Sequence, residues 1–560
     1  MITQETPAKP TRNEGLKEAS PLLTGSIQQT LANQDANCFS ADDYEFLKFH
    51  GVYQQDDRDV RKSGKHYIMM IRTKFPGGVL TAPQYLACDR LATQYANDTI
   101  RITTRQDFQF HGVVKSNLRQ TIQELNQALV TTIAACGDVE RNVMAPPTPA
   151  TSPLVDQVLR EAKKLSDVLA PATPAYHQIW LEGKQLSLEE ANKTFVDPLY
   201  GKTYLPRKFK TGFVFPPLND IDIFTHDLGF VVIAQGEKLV GYNLLVGGGM
   251  GMSHGNAETF PRLADVLGFL APEHLEAVTK AVLTIHRDFG DRTNRKHARL
   301  KYVLEERGAD WCRAEVEKRA GIKLAPAHPF HFTRQGDLLG WHKQTDGNYF
   351  LGLFVENGRI KNADGYQLKN GLRTVIEQFQ PEVRLTASQN LLLVGVKPEQ
   401  RQGIERILRE HGVSVENPFS ATRLASMACP ALPTCGLSLA ESERVLPEIL
   451  TRIENLLEEV GLKGEEIIVR MTGCPNGCAR PYMAEVAFVG KAPGKYQLYL
   501  GGNEASTRLN RVYKDVVKNE EIVNELRPLL ARYAKERSPG ERFGDFCHRA
   551  VLNGEQTPGN

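Results

Sequence analysis

The sequence predicts an α/β fold of the α+β kind, internally duplicated, and two pairs of matching segments carry that expectation. Ile100 to Val113 reads IRITTRQDFQFHGV and Val383 to Val396 reads VRLTASQNLLLVGV, with Arg, Thr, Gln, Gly and Val at matching places. Each is a strand-like run preceded by a helix-like one, Tyr85 to Tyr95 in the first half and Leu372 to Phe379 in the second. Further on, Tyr242 to Gly248 (YNLLVGG) resembles Tyr496 to Gly502 (YQLYLGG), both running into glycine turns. The order is A, B, A′, B′, which duplication explains better than a chance likeness of short amphipathic strands.

The elements follow in order. Residues 1–40 are polar, carry Pro and Gly and show no sustained period, so they are expected to form a flexible arm. Unit A spans 41–150 and unit B 151–330, with helical patterns at Leu154 to Leu165 and Pro272 to Asp288. Lys318 to Pro329, with Pro326 and Pro329, suits a linker. Unit A′ spans 331–413, and unit B′ spans 414–560 with a helical pattern at Leu437 to Val460 and a frayed tail from Asn553 to Asn560.

Among 560 residues, 41% are hydrophobic and 24% charged, which is ordinary globular material. A net charge of +2 gives no case for nucleic-acid or membrane-surface binding, so any anion is held by a local basic pocket. The N-terminal stretch has no apolar core behind a basic start, and Gln235, Glu237 and Lys238 interrupt the most apolar stretch, Gly229 to Met252. A soluble cytoplasmic chain is expected. Nine cysteines are few and odd in number, which speaks for reduced thiols with specific tasks rather than a disulfide framework.

Four of these thiols form a constellation. Cys429 and Cys435 stand in ACPALPTCG, and Cys474 and Cys478 in TGCPNGCAR. Pro and Gly bar regular helix between the cysteines, leaving two loops able to wrap sulfur around a compact centre. An iron–sulfur cluster takes four thiolates, and Gly and Asn loops, Asn476 among them, offer N–H groups to the sulfurs. Structural zinc usually has pairs two to four residues apart in a small module, so the five-residue gap between Cys429 and Cys435 favours the cluster. Cys38, Cys88, Cys136, Cys312 and Cys547 lack partners at ligand spacing and are expected to be inert.

With these residues in hand, ACPALPTCGLSLAESER followed by RMTGCPNGC resembles the siroheme and 4Fe–4S sulfite and nitrite reductases. FHGVYQQDDRDVR, TIRITTRQDFQFHG, YLPRKFKTGFVFPPLNDID and GKAPGKYQLYLGGN are similar to the assimilatory sulfite reductase hemoprotein branch of that family, over about residues 45 to 550. The resemblance implies two ferredoxin-like half-domains and two siroheme/iron–sulfur domains in pseudo-twofold arrangement. It further implies siroheme beside the cluster, with Cys478 as the thiolate shared between them and six-electron reduction of sulfite to sulfide as the activity.

The same resemblance carries substrate binding and proton supply onto Arg72, Arg141, Lys208 and Lys210. It carries siroheme-carboxylate contacts onto Arg101, Arg105, Lys296, Arg299 and Lys301. From the residues alone, Lys208 and Lys210 alternate with Phe209, so on a strand both ammonium groups share one face, a pattern that equally describes a solvated surface. His50 and His111, each before Gly, are expected to be satisfied histidines at strand ends. Gly247, Gly248 and Gly249 lack a phosphate-loop pattern and are expected to let backbone approach a large cofactor.

No nucleotide-binding fingerprint is present, so electrons are expected from another protein. DRDVRKSGKHYIMMIRTK resembles the ferredoxin-dependent branch and YQQDD the subunit that docks on an NADPH-flavoprotein, leaving both donors open. The alternatives to sulfite reduction are a siroheme nitrite reductase and a non-catalytic iron–sulfur carrier. First-half positions matching the cluster domain have no cysteines, so the copies are expected to have divided the labour.

Overall fold

The computed structural model describes residues 8–149, 153–173, 195–416 and 418–552, with the backbone of 180–181 and 184–185. The expected boundary between residues 150 and 151 and the tail from Asn553 lie outside the described residues.

The A units form two five-stranded sheets of matching order that exchange a strand. In the first, Arg101 on Ile100–Ile102 pairs with Gln109 on Phe108–Val113; in the second, Arg384 on Glu382–Leu385 pairs with Leu392 on Leu391–Val396. The long runs seen in the sequence are thus hairpins, turning at Gln106 and Gln389, both with positive φ. Val79–Leu80 of the first half closes the second sheet against Arg384, and Arg359–Ile360 of the second half closes the first against Arg101. One hydrophobic core therefore runs through both A units, from Phe39 to Val413. Helix Ala82–Tyr95 opens with a capping box, Thr81 to Gln84, and its counterpart is Leu368–Phe379.

The B units each have their own core and sheet. Thr211–Val214 runs parallel to Leu228–Gln235 with Thr211 opposite Leu228, and Val469–Thr472 runs parallel to Val486–Ala492 with Val469 opposite Val486. These registers equate position n in unit B with n + 258 in unit B′. The duplication is thus present in strand order, direction and register.

Two expectations need correction. Residues 8–40 are not a loose arm: Arg12–Ala19 and Ile27–Ala32 are helices, and Leu22 and Leu23 are buried. Their polar pattern concealed this because charges are buried in pairs, Lys17 donating to Glu14 (2.6 Å) and to the Leu205 carbonyl (2.9 Å). The helix expected from Leu437 begins at Leu446, since the preceding residues belong to the cysteine loop and Ser438 and Leu439 turn back on Cys435 and Gly473.

Candidate functional site: a cysteine-lined loop pair against a cationic wall

Met427–Ala428 and Val469–Thr472 are parallel neighbours, so the loops leaving their C-terminal ends emerge side by side. Cys429 follows the first strand directly, and Cys474 lies just beyond the second. Gly473 N–H donates to Cys429 Sγ (3.3 Å) and Asn476 Nδ2 to Cys474 Sγ (3.3 Å), while the N–H groups of Leu437 and Ser438 serve Cys435. Such donors favour thiolate and suit cluster sulfur. Burial pushes the Cys429 thiol well up, and Cys478 and Cys474 push it further; Cys474 rises to about 11 by burial and then by Cys478. Thiols raised in this way need positive charge beside them to be held as thiolates. Among the described residues no three His, Cys, Asp or Glu side chains converge on a single-ion site. A cluster, in which each thiolate takes its own iron, does not require such convergence.

Cys478 differs from the other three. Cys429 and Cys474 are buried and Cys435 half-buried, whereas Cys478 is exposed. Thr104 of the first half donates its hydroxyl to the Cys478 carbonyl (2.9 Å), so Cys478 borders that half, within electrostatic reach of Lys208 and Arg72.

That wall is built as alternation requires. Phe209 is buried and stacks on His286 (5.9 Å between rings), and Glu140 bridges to it in parallel. Lys208 and Lys210, on either side of Phe209, are half-buried. Both ammonium groups are driven well below the usual lysine range, Lys208 by burial and then Arg141 and Arg299, Lys210 by burial and then Lys208 and Arg105. Arg105 falls to about 10 by burial despite Glu140 and Asp107. For Arg72, burial acts downward but Cys136, Tyr53, Asp107 and Cys478 outweigh it. With its amide oxygen turned inward, Gln109 accepts from Arg72 Nη2 (2.5 Å) and Nε (3.2 Å). The Nε groups of Arg105 and Arg141 are buried without partners, which costs roughly 1–3 kcal/mol each unless an anion completes them.

The remaining candidates separate. Arg299 forks onto Asp227 (2.7 and 3.2 Å) and acts on both lysines of the wall. Arg101 donates to Glu443 (2.9 Å) and the Ala428 carbonyl (2.7 Å), bracing the residue before Cys429. Lys301 spends its ammonium on the carbonyls of Gly249, Gly251 and Phe260, and Lys296 is exposed. Gly248 is explained by protein packing rather than cofactor approach: a Cβ there would collide with the carbonyls of Phe224 and His226. His111, expected to be satisfied, is buried with both ring nitrogens unpartnered. Cys136, expected to be inert, is buried within electrostatic reach of Tyr53 and Arg72.

Sequence reasoning missed Asp222, Arg470 and Arg480, a buried ion cluster of one carboxylate and two guanidiniums. The signal available was positional: Asp222 and Arg480 follow the equivalent strands by the same count. It also missed Asp227, Glu140 and Glu443.

The registers show why there is one such site and not two. Arg105, Lys208 and Lys210 correspond to Ser388, Glu466 and Ile468. Arg141 corresponds to Leu424, since Met144 opposite Gly212 matches Met427 opposite Arg470. These four counterparts line a separate cavity of about 230 Å³. Conversely, Cys429, Cys474 and Cys478 correspond to Pro146, Pro216 and Asp220. One face has kept the charges and the opposite copy the thiols.

A duplicated α/β chain with a four-cysteine loop pair facing a buried cationic wall defines a redox protein that joins a cluster to an anion site. Two family models match: the nitrite and sulphite reductase 4Fe-4S domain over residues 160–324, and the nitrite/sulfite reductase ferredoxin-like half domain over 60–128 and 342–411. The first lies on the copy whose cysteine positions hold Pro and Asp. The chain is 48% identical over 96% of its length to a sulfite reductase (NADPH) hemoprotein beta-component of Staphylococcus saprophyticus, covering 95% of it. It is 49% identical over 96% of both chains to the protein of that name from Myxococcus xanthus. The chain belongs to the sulfite reductase hemoprotein beta-component family. In fold it is also similar to the Mycobacterium tuberculosis NirA protein, with TM-score 0.78, 22% identity and 97% of both chains covered. Among the described residues no helix is long and apolar enough to cross a membrane.

Proposed function

We propose that this chain reduces sulfite to sulfide. Cys429, Cys435, Cys474 and Cys478 would hold a 4Fe–4S cluster, and siroheme would lie between Cys478 and the cationic wall, its carboxylates met by Arg105 and Arg299, with Arg101, Lys296 and Lys301 in supporting places. When bound, siroheme and cluster supply an iron that takes the sulfur of the substrate and a short path for electrons. The observation that carries this reading is the exposed Cys478 thiol, held to the first half by Thr104 (2.9 Å to its carbonyl) and within electrostatic reach of Lys208 and Arg72.

The balance is HSO₃⁻ + 6 e⁻ + 6 H⁺ → HS⁻ + 3 H₂O, so the site handles protons as well as electrons. Arg72 and Arg141 provide fixed positive charge and planar donors for the sulfite oxygens. Lys208 and Lys210 release protons readily because burial and their cationic neighbours lower their pKa. An arriving anion raises those pKa values again, so binding takes up protons where they are needed.

The relatives' names include NADPH, and this chain has no nucleotide fingerprint, which supports an NADPH-oxidising flavoprotein as electron donor. The test is the visible spectrum of the purified protein together with turnover of sulfite and nitrite using reduced methyl viologen. A strong siroheme absorption and a larger kcat/KM for sulfite are expected. A colourless zinc protein, or a much larger kcat/KM for nitrite, overturns the reading.

A further inference from the structure

Asp222 and Arg480 occupy the same place in units B and B′, each a left-handed residue (φ 51° and 49°) leading into a 3₁₀ turn, Ile223–Thr225 and Pro481–Met483. They are paired with each other across the pseudo-twofold relation, Arg480 Nε donating to the Asp222 carboxylate. Non-glycine residues enter this backbone region only when the surroundings hold them there.

The Arg480 guanidinium also donates through Nη1 to the Thr104 carbonyl (3.1 Å) and through Nη2 to the Ala387 carbonyl (3.0 Å). Thr104 belongs to unit A, Ala387 to A′, Asp222 to B and Arg480 to B′. One side chain therefore ties together all four units. Thr104 completes a circuit, its hydroxyl donating to the carbonyl of Cys478 (2.9 Å), two residues before Arg480. Arg470 seals the pair from behind, donating to Asp222 (2.7 Å) and to the Arg480 carbonyl (3.0 Å). Asp222 is fully buried and Arg480 nearly so.

We propose that Asp222 is a positioning residue for Cys478, acting through Arg480 and Thr104 to hold the shared thiolate against the cationic wall. The proposal rests on the reading of Cys478 as the ligand common to cluster and siroheme. An exposed loop cysteine needs such an anchor. The register between the halves has to be set by protein contacts.

The experiment compares purified holoprotein of the wild type with Asp222→Asn, Arg480→Lys and Thr104→Ala, reading iron and siroheme content, magnetic exchange between heme and cluster by EPR and Mössbauer spectroscopy, and sulfite turnover. The variants are expected to keep both cofactors, to show a large uncoupled heme fraction, and to lose turnover roughly ten- to a hundredfold, the scale of a misplacement near 1 Å. If Asp222→Asn fails to fold, Arg480→Lys and Thr104→Ala decide the matter. Full exchange coupling in all folded variants overturns the positioning role. Absence of coupling in the wild type overturns instead the shared-thiolate reading, so the two failures are distinguishable.

Discussion

Lys208 and Glu466 stand at the same place in the two copies, three residues before the parallel strands Thr211–Val214 and Val469–Thr472, and carry opposite charge. Lys208 lies within electrostatic reach of Cys478, whereas Glu466 lines a cavity with Ser388, Leu424 and Ile468 and its carboxylate accepts from Arg542 (3.0 Å). The face with Lys208 suits an oxyanion better than its counterpart, where a carboxylate stands in the same place. The chain is therefore expected to bind one siroheme and one sulfite, and Lys208→Glu, which imports the residue of the silent copy, is expected to keep cofactor content while kcat/KM for sulfite falls by about 10²–10³. Titration stoichiometry and steady-state kinetics check both statements. Two anions bound per chain would contradict the division of labour.

Glu140 supports the wall from behind, its carboxylate accepting from Thr211 Oγ1 (2.9 Å) and Thr211 N–H (3.2 Å). Burial raises its pKa to about 8 from the usual 4.5, although Arg105 and Lys74 act to lower it. A raised carboxyl contributes stability that is complete below the unfolded value and is lost as pH rises through the folded one. The ligand-free wild type should thus lose stability relative to Glu140→Gln between pH 4.5 and about 8. Denaturant midpoints of the two proteins across that range measure the difference, and parallel curves would show that Glu140 does not titrate on folding.

The four cysteines should not respond alike. Cys429 is buried with Gly473 donating to its sulfur, while Cys478 is exposed. Cys429→Ser is expected to lose iron outright and to expose the loop to proteolysis, whereas Cys478→Ser is expected to leave a folded chain whose heme and cluster are magnetically separate. Iron analysis, limited proteolysis and EPR distinguish these outcomes. Equal iron loss in both would remove the special status of Cys478.

Much of this arrangement was legible in the sequence because it is local. The cysteine spacing, the Lys208–Phe209–Lys210 alternation and the helix-then-strand pairs are short patterns whose periods reflect backbone geometry. The interlocking of the halves was not legible. Val79–Leu80 and Arg359–Ile360 are two-residue strands that pair only across the duplication, so nothing local marks them. The Asp222–Arg480 pair spans 258 positions, and its residues differ in type although their places match. The N-terminal helices escaped notice because Lys17 and Glu14 are buried as a pair, and a buried ion pair resembles a solvated face when only residue types are seen.

Gly473 offers the most direct test of how the cysteine loops close. Its φ is ordinary, so the backbone itself would accept alanine. Space would not: a Cβ there collides with Ser438 Oγ and comes within 2.5 Å of the Ala440 carbonyl and 2.6 Å of Ala431 Cβ. Those neighbours are held in place, since Gly473 O accepts from the N–H groups of Leu439 (2.8 Å) and Ala440 (3.0 Å) while its own N–H serves Cys429. Relief requires the first cysteine loop to move away from the second, which separates Cys429 and Cys435 from Cys474 and Cys478. Overpacking of this kind typically costs about 1–3 kcal/mol, and here it falls on the junction between the ligand pairs. Gly473→Ala is therefore expected to yield folded protein with iron content well below that of the wild type. Gly436→Ala is the matched control, one residue after Cys435 but with nothing within 4 Å of the added Cβ. It should retain its cluster, and equal iron content in the two variants would show that the loops close by a route other than the Gly473 contact.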